Sequence, residues 1–172
     1  MINVENDSVL ICLIGISFLL TLNFFNFLYL GDSGAYLVSF VAGGILIYIH
    51  HNNSSISPYF IALLLWYPAF ENFFSIIRKK LNKINPVNPD TNHLHQLIFK
   101  FFGQKNFRFR KYANQISSLS ILIYNLIIFL ISINHFRNTK FMLFLILVNV
   151  LVYLIIFILL FKRYRYNLNY KN

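Results

Sequence analysis

Five long apolar runs, at about 9–28, 35–49, 57–77, 116–133 and 141–161, constrain this chain more than any other feature. Each is long enough, or nearly so, to cross a hydrocarbon core about 30 Å thick. Inside lipid a backbone must satisfy its own hydrogen bonds, and a helix does this within one segment. The expected fold is therefore all-α. Residues 1–172 read as a single membrane domain, a polytopic bundle of about five transmembrane helices, with a short cytoplasmic amphipathic helix in the loop 78–114. A hydrophobic content of 58% agrees, since soluble domains average roughly 45–50%. The one cysteine, Cys12, lies inside the first run, so no disulfide framework or cysteine metal site is available. The acidic start, with Glu5 and Asp7, lacks the basic region of a signal peptide.

A net charge of +10 raises the question of nucleic acid, and the placement of the charge answers it. Arg78, Lys79, Lys80, Lys83, Lys100, Lys105, Arg108, Arg110 and Lys111 all fall between the third and fourth runs. Lys162, Arg163, Arg165 and Lys171 lie in the tail, and only Arg137 and Lys140 occupy the link between the fourth and fifth runs. With the N-terminus outside, the loop and the tail reach the cytoplasm and carry nearly all the basic residues, as the positive-inside rule requires. The expected location is the inner (plasma) membrane, with a cytoplasmic C-terminus. The basic residues then hold topology and touch anionic membrane lipids, and no nucleic acid partner is expected.

Polar residues near the apolar runs are the candidates for chemistry. Asp32, in Leu30-Gly31-Asp32-Ser33-Gly34, is a carboxylate between two membrane-length runs. That position is expensive near lipid and reads as functional, although Gly-Asp-Ser-Gly is also ordinary turn chemistry. The expected topology puts this turn on the cytoplasmic face, together with loop 78–114. Glu71 sits inside the third run, three residues after Pro68, which is expected to bend or open the span. Arg78 follows Glu71 by about two turns, on one side of a helix, so a pairing that anchors the helix end is one reading.

Beyond Pro86 and Pro89, residues Leu94, Leu97, Ile98, Phe101 and Phe102 follow a helical stripe suited to the membrane surface, with Asn88 as the expected N-cap. Asp90, His93 and Gln96 fall on its more polar flank. On a regular helix His95 points about 200° away from His93, so the imidazoles converge only where the backbone is not helical. His-x-His without further ligands is a weak metal signal. His50, His51 and His135 belong to the outer face, and Asn23 and Asn125 read as packing residues that need hydrogen-bond partners.

Taken together, these segments resemble the bacterial polyprenyl-phosphate N-acetylhexosamine-1-phosphate transferases, the integral membrane family that includes phospho-N-acetylmuramoyl-pentapeptide transferase. Asn23 with Phe27-Leu-Tyr-Leu-Gly31-Asp32-Ser33-Gly34 looks like the family's Asn…Phe-x-Gly-Asp-x-Gly segment. Pro68-Ala-Phe-Glu71 with Arg78 looks like its Pro-x-x-Asp…Arg element, with Glu in place of Asp. Pro86-x-x-Pro89-Asp90-x-x-His93-Leu94-His95 looks like its cytoplasmic histidine loop. Thr91 departs from a common Arg, and Gln96 stands where a third His often follows. The resemblance spans nearly all of this chain but only the C-terminal half of a typical member, and the family's Asp-Asp pair has no counterpart among Asp7, Asp32 and Asp90.

The resemblance implies transfer of a sugar phosphate from a UDP-sugar to a polyprenyl phosphate, with release of UMP, in cell-envelope polysaccharide or peptidoglycan synthesis. It implies Mg²⁺ (or Mn²⁺) as cofactor and Asp32 as its ligand. It further implies catalytic roles for Asp32, His93 and His95, and substrate binding by Arg78, Asp90 and Asn23. The missing aspartates imply a split or truncated member, completed by an N-terminal-half partner chain or a homodimer. The alternatives are an inactive remnant, a non-catalytic membrane interaction module, or an unrelated small membrane protein.

Overall fold

The computed structural model of the chain describes residues 4–83, 85, 92–105 and 112–169. Helices make up most of these residues, with no strand among them. The helices are α1 (Val4–Phe24), α2 (Gly31–Asn52), α3 (Pro58–Leu64), α4 (Trp66–Leu81), α5 (Leu94–Lys105), α6 (Ala113–Ile133) and α7 (Thr139–Asn169). Four of them are long and apolar enough to cross a membrane, and α3 with α4 makes a fifth if the bent pair is one span. The chain is thus an all-α protein with the helices of a multi-pass membrane protein. Its contacts divide it into two compact units, Met1–Ser55 and Ile56–Asn172.

In the first unit α1 stops at Phe24 rather than running to 28. Asn26 adopts a left-handed conformation (φ 61°), the Phe27 N–H reaches back to the Leu22 carbonyl (2.9 Å) and the Asn26 N–H to the Asn23 carbonyl (3.1 Å). This pair of bonds with a left-handed residue is a Schellman ending, which consumes the last free carbonyls of the helix. The chain turns over 25–30, and Gly31 opens α2 at φ +61°, where a Cβ would be strained. The turn predicted at Gly31–Gly34 is therefore already helix, and Asp32 lies in the first turn of α2. A carboxylate is favoured there by the helix dipole.

In the second unit the third run breaks, as Pro68 suggests, but one turn earlier than the proline itself. The proline ring would collide with the carbonyl four residues back, that of Leu64. Helix α3 accordingly ends at Leu64, and α4 leaves it at 70°. Ser57 caps α3, accepting from the Tyr59 N–H (3.3 Å), with Pro58 at the first helical position.

The core of this unit gathers Leu63, Trp66, Leu94, Leu97, Met142, Leu145, Tyr153 and Phe157, all buried. Polar side chains join its helices: Trp66 Nε1 donates to Asn125 Oδ1 (2.9 Å), Tyr124 donates to Asn149, and Ser57 shares a bond with Thr139 (3.0 Å). Asn125 thus has the interhelical partner that its place in an apolar run demands.

The amphipathic helix forms, with two corrections. It starts at Leu94, after non-helical Asn92 and His93, so the expected N-cap at Asn88 does not begin it; residues 86–91 lie outside the described ones. Its stripe also packs partly inward, with Ile98, Phe101 and Phe102 only half-buried. Leu94 and Leu97 are buried in the core and α5 packs on α6 and α7, because these larger apolar faces offer more burial.

Candidate functional site

Two turns of α4 build the site in the second unit. Glu71 is 6% exposed; its Oε1 accepts the Leu94 N–H (2.9 Å) and shares a hydrogen bond with His93 Nδ1 (3.0 Å). Leu94 is the first residue of α5, where helix N–H groups have no partner within the helix. A side chain of α4 therefore caps α5 from outside. Arg78, further along α4, donates Nη1 to the carbonyl of Asn92 (2.7 Å). Its guanidinium lies over the rings of Phe74 (5.7 Å) and Phe157 (5.0 Å), an arrangement that holds the cation by ring electrostatics. Glu71 and Arg78, read from sequence as a possible pair, both reach across to residues 92–94.

The segment 92–94 is further shaped by Gln96, whose Oε1 accepts the His93 N–H (3.3 Å). A glutamine three residues after an N-cap, bonded back to its backbone, makes the return half of a capping box. Gln96, the departure from the resembled pattern, has this local structural work to do. Because His93 precedes the helix, the two imidazoles do converge: the rings of His93 and His95 stack 5.6 Å apart with planes 14° from parallel. Partial burial lowers the His95 pKa; the Glu71 charge opposes that shift and the nearby His93 adds to it.

Behind Glu71 lie Tyr67 of α4 and Tyr153 of α7, their ring centroids 6.4 Å apart. Both hydroxyls are buried without a hydrogen bond, as is Glu71 Oε2, and both are within electrostatic reach of the carboxylate. An apolar crevice of about 150 Å³ shares Tyr67, Leu94 and Tyr153 with the site, and Trp66, Ile98 and Tyr124 also line it.

Asn23 and Asp32 belong to the first unit. Asn23 Oδ1 accepts the Leu30 N–H (3.2 Å), closing the turn that delivers Gly31 and Asp32. Asp32 is exposed. Asp90 and Thr91 lie outside the described residues. Among the described residues no three His, Cys, Asp or Glu side chains gather into a metal site. Stacked imidazoles are poorly aimed to share one ion, and Mg²⁺ prefers hard oxygen ligands. Asp32 fits Mg²⁺ only as one such ligand, in the usual manner in which one or two carboxylates are completed by water and substrate phosphates.

Sequence reading missed the capping roles of Glu71 and Gln96 and the presence of Tyr153. Gln96 carried no capping signature, since His93 three residues before it is not a usual cap residue, and Tyr153 offered none, being one aromatic among many in an apolar helix. Comparison with protein-family models, with curated proteins and with solved structures returns no match to this chain.

Proposed function

We propose that the chain is the C-terminal part of a membrane sugar-1-phosphate transferase, acting on a UDP-sugar and a polyprenyl phosphate. One observation carries the reading: two of the three segments that bear the resemblance touch each other. Glu71 and Arg78, from Pro68-x-x-Glu71…Arg78, hold Asn92, His93 and Leu94 in the histidine segment. The apolar crevice beside them supports a substrate with a hydrocarbon part.

In this reading Asp32, in the first unit, would hold Mg²⁺ or Mn²⁺, which when bound would offset the negative charge of the sugar diphosphate. In the second unit His93 and His95 would bind the phosphate-bearing substrate, and the basic residues around Arg78 would draw anionic substrates to that end of the unit. Glu71 is committed through Oε1 to His93 and Leu94 and is therefore a poor second ligand. Misplacing a reacting group by about 1 Å can cost on the order of a hundredfold in rate.

The purified 172-residue chain, given UDP-N-acetylhexosamine, undecaprenyl phosphate and Mg²⁺ in detergent, is therefore expected to release no UMP above background. Release is expected when a partner carrying the paired aspartates is co-produced. Robust release by the chain alone would remove the need for a partner, and none in either case would favour the non-catalytic interaction module.

Orientation is part of the proposal. Arg78, Lys79 and Lys80 end α4, and Arg163 of α7 lies over Phe101 of α5 (4.9 Å), so one end of the second unit is strongly basic. The positive-inside rule puts that end in the cytoplasm. In a Cys12→Ser background, an impermeant thiol reagent added to intact cells should label Asn53→Cys and spare Lys105→Cys. Labelling of Lys105→Cys would reverse the assignment.

A further inference from the structure

The contact between Glu71 and His93 does more than dock α5, because its geometry favours one position for the imidazole proton. Glu71 Oε1 already receives the Leu94 N–H at 2.9 Å, so this oxygen is an acceptor whatever the protonation state of the carboxyl group. A carbonyl-type oxygen accepts a backbone N–H better than a hydroxyl oxygen does, so this contact favours any carboxyl proton on Oε2 and makes His93 Nδ1, 3.0 Å from Oε1, the favoured donor. In the neutral ring one nitrogen carries hydrogen and the other a lone pair, so Nε2 is the lone-pair nitrogen.

The ring has little freedom to escape this arrangement. The His93 side chain is only 20% exposed, its backbone N–H is held by Gln96, and the preceding carbonyl is held by Arg78. The His95 ring lies parallel to it on one face. Glu71 is itself rooted, with a side chain 8% exposed and the buried Tyr67 and Tyr153 hydroxyls nearby. A carboxylate that fixes both the tautomer and the orientation of a histidine is a recurrent device wherever the opposite nitrogen must meet a substrate or an ion.

We propose that Glu71 is the positioning residue of His93: it holds the neutral ring as the Nδ1–H tautomer, leaving Nε2 to accept a proton or hydrogen bond from a substrate phosphate. The substrate half of this statement rests on the transfer reading above; the tautomer half does not. Free histidine favours the opposite tautomer, with hydrogen on Nε2, so the assignment can be read directly.

The experiment uses the whole chain, labelled with ¹⁵N-histidine, in detergent without substrate, at a pH about two units above the ordinary imidazole value of roughly 6.5. Long-range ¹H–¹⁵N correlations distinguish a protonated from a bare ring nitrogen, and the His93 pattern is assigned by its loss in His93→Asn. The expected result is a protonated Nδ1 and bare Nε2 at His93, changing to the Nε2–H pattern in Glu71→Leu. A wild-type His93 with hydrogen on Nε2 would overturn the proposal, as would an unchanged Nδ1–H pattern in Glu71→Leu. Should Glu71→Leu not fold, the wild-type spectrum still decides. Because no turnover is involved, failure of the transfer reading appears only in UMP release, and failure of the positioning role only in the spectrum.

Discussion

Replacing Asp32 with Asn is expected to lower sugar-phosphate transfer by the complete, partner-containing enzyme by on the order of a hundredfold or more. The substitution keeps the shape of the side chain and removes the charge that would hold Mg²⁺. Metal stabilisation of a transferring phosphoryl group amounts to several kcal/mol, and each ~1.4 kcal/mol is a factor of ten in rate. The structural cost of the same change is much smaller. Asp32 is exposed in the first turn of α2, where a charge interacting with the helix dipole contributes about 0.3–1 kcal/mol. The two effects thus separate cleanly: folding of Asp32→Asn, followed by circular dichroism, should match the parent while UMP release collapses. Near-normal turnover at limiting Mg²⁺ would reduce Asp32 to a helix-start residue.

The second large effect concerns Glu71 and the docking of α5. Glu71→Leu removes the acceptor for the buried Leu94 N–H and for His93 Nδ1. A buried donor left without an acceptor costs about 1–3 kcal/mol, so the loss of both is expected to weaken the docked helix by roughly 2–4 kcal/mol. In hydrogen exchange this corresponds to amides of α5 opening roughly 30- to 1,000-fold more readily. Glu71→Gln keeps a carbonyl oxygen in place and should raise exchange less than about tenfold. Equal protection of Leu94, Leu97 and Ile98 in the parent and in Glu71→Leu would show that the core contacts of α5 hold it without the carboxylate.

The contrast between these two residues shows what could be read from the chain in advance. Asp32 stands out because a charge between two apolar runs is conspicuous in one dimension. Glu71 is equally conspicuous, but its partner is not, since a helix offers every side chain several directions. Seven residues on, Arg78 lies on the same side of α4 and suggested itself by periodicity. The partners shown by the fold, His93 and Leu94, lie beyond a loop whose path no local pattern specifies. The histidines make the same point. Their spacing separates them on a regular helix, and they stack because His93 falls outside α5, where Gln96 and Glu71 close the helix behind it.

By itself the sequence determined that this chain is all-helical, that it carries several helices long and apolar enough to cross a membrane, and that the third run bends or opens near Pro68. These follow from local physics: charge-free length, the demand that backbone groups be satisfied within a segment, and the proline ring's collision with a carbonyl one turn back. Only the tertiary structure decided that the amphipathic helix turns part of its stripe into the bundle, that α4 supplies the cap for α5, and which nitrogen of His93 faces a carboxylate. Those outcomes depend on packing between elements far apart in the chain. There, burying an N–H or a charge is tolerable only where another helix brings the complementary atom to within 3 Å.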